Sequence, residues 1–120
     1  MNKYSDKSDF EINKAVAEVL IQSGFIIGIK YHDKHILVTD KYANNYPFDP
    51  CNNPADAMPI VFDNNISLIL SHNEYPLATN NPSGLFRDSL PPENVVTNTN
   101  PLRAAMELFL MMKDAENEKS

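Results

Sequence analysis

Basic residues are scarce in this chain: ten Lys and Arg stand against sixteen Asp and Glu, leaving a net charge of −6 over 120 residues. Nucleic acid is held mainly by clustered cations that neutralise phosphates, so direct binding of DNA or RNA is not expected. Cysteine occurs once, at Cys51, which excludes an internal disulfide and suits a reducing cytosol. Three glycines, at 24, 28 and 84, cannot form a phosphate-cradling loop. Tryptophan is absent. No apolar run approaches the roughly 18 to 20 residues that cross a bilayer, and the opening Met1 to Asp6 is too polar for a secretory signal, so no membrane association is expected. At this length the chain reads as a single domain over 1–120, with 1–7 and 114–120 frayed.

What is abundant is asparagine, at 15 positions, with nine prolines. The turns are therefore expected to be built from Asn and Pro. Ser8 and Glu11 have capping-box spacing, Ile12, Ala15, Val16, Val19 and Leu20 share one helical face, and Gly24 supplies a stop, which predicts a helix from Asp9 to Gln22. Asn13, Lys14 and Glu18 fall outside that face. Phe25 to Tyr31 and His35 to Thr39 read as a hairpin, followed by a loop from Asp40 to Ala57 in which dense proline removes ladder donors. Met58 to Phe62 and Ile66 to Leu70 alternate around Asp63-Asn64-Asn65, predicting a second hairpin. Tyr75 to Thr79 reads as an edge strand, and Asn80 to Asn98 as irregular with a short strand at Val95-Val96.

The last element begins at Asn100, a good cap, and Pro101, a good first helical residue. Leu102, Ala105, Met106, Phe109 and Met112 form one stripe, and Ala104, Leu108 and Met111 a second, so this helix must be buried on more than one side. Either other elements flank it, or the second stripe of residues 101–112 meets a second copy in a homo-oligomer. Two helices bracketing antiparallel hairpins predict an α+β fold, with both terminal helices packed on one sheet.

The string Cys51 to Val61, the following Asn65-Ile66-Ser67-Leu68, the later Asn100-Pro101-Leu102-Arg103-Ala104-Ala105-Met106 and the opening Ser8 to Asn13 with Val16-Ala17 resemble the NinX-like proteins of tailed bacteriophages and prophages. The resemblance covers most of the chain and implies phage origin and an accessory role, with no reaction attached. Where members of that family often carry Trp, this chain has Met58. A ligand contacted by that indole would differ here.

Catalysis has little support. His32 and His35 are expected on opposite faces and do not write a metal site. Cys51 has no nucleophile pattern around it, and no cofactor is expected. The candidate ligand-binding residues are Asn52, Asn53, Asp56, Asn100 and Arg103: the helix start at Asn100 offers free N–H groups, Arg103 adds a charge, and the loop from 52 to 56 supplies amides and a carboxylate. Together they suggest a seat for a small phosphorylated ligand, at which Arg103→Ala weakens binding without changing the melting temperature. The expected function is a non-enzymatic accessory protein that acts by binding, in counter-defence, against a basic host protein or a small nucleotide signal. The alternatives are a small metal-dependent hydrolase or nuclease using Asp49, Asp56 and a histidine, or an acidic mimic of nucleic acid. At this magnitude the charge also serves plain solubility.

Overall fold

The computed structural model describes residues 2–70, 75–82 and 94–118. Helix α1, Asp9–Gln22, begins as its capping box requires: the Ser8 hydroxyl accepts the Glu11 N–H at 3.2 Å, and the Glu11 carboxylate receives the Ser8 N–H at 3.5 Å. It ends in a left-handed Gly24 with φ +84°, where the N–H groups of Gly24 and Phe25 close on the Ile21 and Leu20 carbonyls. Ile12, Val16 and Ala17 are buried, and so is Asn13.

Strands β1, Ile26–His32, and β2, His35–Asp40, form the expected antiparallel hairpin, turning at Asp33 with a positive φ of 61°. A bulge displaces Ile27 from the register. A third strand, β3, Asn45–Pro47, pairs antiparallel with β2 inside the stretch expected to be loop. Pro47 is tolerated there because β3 is an edge strand, whose last residue need not donate.

The second hairpin does not form. Met58 to Phe62 belongs to helix α2, Pro54–Asp63, capped by Asn53, whose side chain accepts the Ala55 N–H at 3.0 Å. Ala57, Ile60 and Val61 are buried at helical spacing, while Phe62, an apparent member of an alternating strand, is 71% exposed. Asn65 does take a positive φ of 55°, but it closes the helix: the N–H groups of Asn65 and Ile66 bond the Phe62 and Val61 carbonyls.

Strands β4, Ser67–Ile69, β5, Leu77–Thr79, and β6, Val95–Thr97, make a second antiparallel sheet in the order β4-β5-β6. The fold is α+β with two three-stranded sheets where one was expected. Strand β5 is central rather than an edge; Pro76 precedes it and contributes only its carbonyl, to Asn98 N–H at 3.2 Å. Residues 83–93 of the stretch expected to be irregular lie outside the described residues, as do 1 and 119–120 at the ends.

Helix α3, Pro101–Glu118, is buried continuously from Arg103 to Leu110. It packs against α1, α2, β5 and β6, while α1 covers β1 and β2, so each terminal helix serves a different sheet and the two meet each other. Ala104 and Leu108 of one stripe and Ala105, Met106 and Phe109 of the other are thus buried within one chain, while Leu102, Met111 and Met112 are partly buried. Helix α3 runs on to Glu118, and Tyr4 donates its hydroxyl hydrogen bond to Asp114. Among the described residues no helix is long and apolar enough to cross a membrane.

Candidate functional site

Asn100 caps α3 as its sequence context predicts: its side-chain oxygen accepts the N–H groups of Leu102 at 3.0 Å and Arg103 at 3.3 Å. Its amide nitrogen reaches back to the Cys51 carbonyl at 2.6 Å and to Asn52 Oδ1 at 3.5 Å, so the start of α3 does sit beside the loop that leads into α2. Arg103 lies next to this junction but turns inward, at 9% exposure. Nε bonds Glu107 at 2.7 Å and Nη1 bonds Asp9 at 2.8 Å, while Nη2 donates to the carbonyls of Tyr4 and Lys7. Burial opposes the guanidinium charge, but the bonds to Glu107 and Asp9 outweigh it and raise its pKa. Glu107, 1% exposed, receives a second bond from Asn2 at 2.6 Å. Four of the five guanidinium N–H donors are therefore spent inside the chain, on the protein's own carboxylates and carbonyls.

The other candidates divide. Asn53 is the α2 cap. Asn52 bridges Asp9 at 3.2 Å and Asp49 at 3.1 Å. Asp56 accepts the Asp49 N–H at 2.9 Å. Burial raises the Asp56 pKa from its ordinary range, only partly offset by that bond. Asn13, set aside as off the apolar face, is a central connector: it donates to Asp49 at 2.7 Å and accepts the Cys51 N–H at 3.0 Å. Cys51 is fully buried, and burial, with Asp9 adding to it, pushes its thiol up to about 12. It stays protonated and is no nucleophile at neutral pH.

Two hollows flank this junction. One, about 580 Å³, lies against α2 and is walled by Phe25, Tyr46, Phe48, Ile60 and Phe109, with Asp56, Asp63 and Lys113 among its polar groups. Its α2 side is a single helical face, Asp56, Pro59, Ile60 and Asp63. The other is a groove that brings His32 and His35 beside Asp9 and Asp49. Asp49 and Asp56, paired in the hydrolase alternative, thus line different hollows. Among the described residues no three His, Cys, Asp or Glu side chains are grouped to hold a metal ion.

A family model described as "Bacteriophage P22, NinX" matches residues 3–113. The chain belongs to the NinX family. Searches of curated proteins and of solved structures find no match. Two of the strings that carry the NinX resemblance, 51–61 and 100–106, are joined by the Asn100 to Cys51 bond, one supplying most of α2 and the other the start of α3. Met58, at the position where NinX-like proteins often carry Trp, packs partly buried against the core and is not part of the lining of the α2 hollow.

Proposed function

We propose that this NinX-family protein is a non-enzymatic accessory protein that holds a small molecule in the hollow against α2. The observation that carries this reading is the hollow itself: about 580 Å³, within the range of small-molecule sites, with predominantly apolar and aromatic walls and a partly buried carboxylate, Asp56, among a few polar groups. Of the five residues suggested by sequence, Asp56 is the one in this wall. A phosphorylated ligand at Arg103 has little support, because that guanidinium is engaged by Asp9, Glu107 and two carbonyls. For a phage protein acting in the host cytoplasm, withholding a small host molecule from its receptor is the form of counter-defence this geometry would serve.

The test is to fill the hollow. Ala55 is exposed on its wall, so Ala55→Trp occupies the space without disturbing the core. Wild-type protein incubated with host small-molecule extract and analysed by native mass spectrometry should retain a ligand that Ala55→Trp does not. Equal retention by both, or retention by neither, refutes the reading.

A further inference from the structure

Part of the donor capacity of the α2 hollow is already spent, and its charged acceptors outnumber its charged donor. Its Ser23 hydroxyl already donates to the Val19 and Leu20 carbonyls at 3.1 and 3.3 Å, and the Asn64 amide to Ile60 at 2.8 Å. Lys113 is paired with Glu116 at 3.4 Å and rests over the Phe109 ring, 5.5 Å from its centre. On the acceptor side, Asp56 takes the Asp49 N–H and a bond from Asn53, leaving about half of a carboxylate's roughly four acceptor positions open. Asp63, two helical turns further along the same face, adds a second carboxylate at the exposed end. Pro59 has no N–H, so the Ala55 carbonyl, on the same wall, lacks its usual helical donor.

The remaining walls are aromatic, Phe25, Tyr46, Phe48 and Phe109, and ring faces attract cations. The Phe109 ring already holds one, the Lys113 ammonium. Two carboxylates against one ammonium make the lining net negative. An anion would meet the charges of Asp56 and Asp63, while the lining's one ammonium, Lys113, is already shared between Glu116 and the Phe109 ring and the other side-chain donors, such as the Tyr46 hydroxyl, are neutral.

We infer that the ligand of this hollow is a small organic cation: an ammonium or amidinium group that donates to Asp56 and the Ala55 carbonyl, carried on a flat, apolar body that fills the aromatic walls. This rests on the hollow being a binding site, as proposed above.

Benzamidine, benzamide and benzoate share one ring and differ in charge, and each can be titrated into isotope-labelled full-length protein while backbone amide signals are followed. Benzamidine should shift signals of residues 46, 48, 55–58 and 60–64, with an affinity about tenfold or more above that of benzamide, and benzoate should not bind there. Asp56→Asn should weaken benzamidine about fivefold or more while leaving distant signals in place, which shows that the fold is intact. Benzamide or benzoate binding at these residues as tightly as benzamidine overturns the cation assignment and leaves the hollow a binding site. If none of the three shifts these signals at millimolar concentration, the binding site and this inference fall together.

Discussion

Replacing Arg103 with Met discriminates between a structural and a ligand-binding role for that residue. The change deletes four donated hydrogen bonds, to Glu107, Asp9, Tyr4 and Lys7, and strands the Glu107 carboxylate at 1% exposure with Asn2 as its remaining partner. Removing one member of a buried ion pair costs about 3–5 kcal/mol, because the surviving charge is left uncompensated. Against a total stability of about 5–15 kcal/mol for such a domain, that is a large share. At about 4 °C per kcal/mol for a chain of this size, the melting temperature should drop by roughly 12–20 °C. Urea unfolding followed by circular dichroism measures the difference directly. The double variant Arg103→Met/Glu107→Leu should recover most of the loss, since an apolar pair of similar volume is close to neutral. A single variant that loses less than about 1 kcal/mol, the value of an exposed pair, would refute the argument and return the guanidinium to a ligand.

Asn13→Ala should cost about 1–3 kcal/mol in the same assay, because it leaves the buried Cys51 N–H without its acceptor and Asp49 with Asn52 as its remaining side-chain donor; a loss under half a kilocalorie, about the scatter of a surface substitution, would show that these two bonds contribute nothing net. Asp56→Asn should raise stability at neutral pH. Burial lifts the native pKa of Asp56 above its unfolded value of about 3.9, so the native state binds the proton more tightly and loses stability as pH rises from there through the raised value. The variant's advantage should therefore shrink on acidification and vanish below about pH 4. A wild type more stable than Asp56→Asn at pH 7 would contradict this.

The elements read correctly from sequence are those whose pattern and punctuation agree. Helix α1 has its capping box and glycine stop, α3 its Asn-Pro start, and the first hairpin its β-rich runs around a polar break. Helix α2 carries the same Asn-Pro start, at Asn53-Pro54, but the dense proline before Ala57 suggested a loop and the alternation from Met58 to Phe62 a strand. The cap was the better signal, because Ala57, Ile60 and Val61 keep the helical period on which burial depends. Strand β3 was hidden by prolines that an edge strand tolerates. Arg103 lies at the junction the sequence suggested, but its partners Asp9, Tyr4 and Lys7 could not be read there, since only the fold brings them to it. The α2 hollow could not be seen in the sequence, because its walls come from residues 20–26, 46–48, 55–64 and 109–113.

The position of α3 bears on how the protein comes to exist at all. The segment in contact with α1, α2, β5 and β6 is synthesised after every one of them. Until it leaves the ribosome, Ile12, Val16, Ala57 and Val96 have no common wall, and their association waits on closures spanning much of the chain. Nascent chains halted before residue 101 should remain open and protease-sensitive, and assembly should be a late, all-at-once event instead of a stepwise accretion from the amino end.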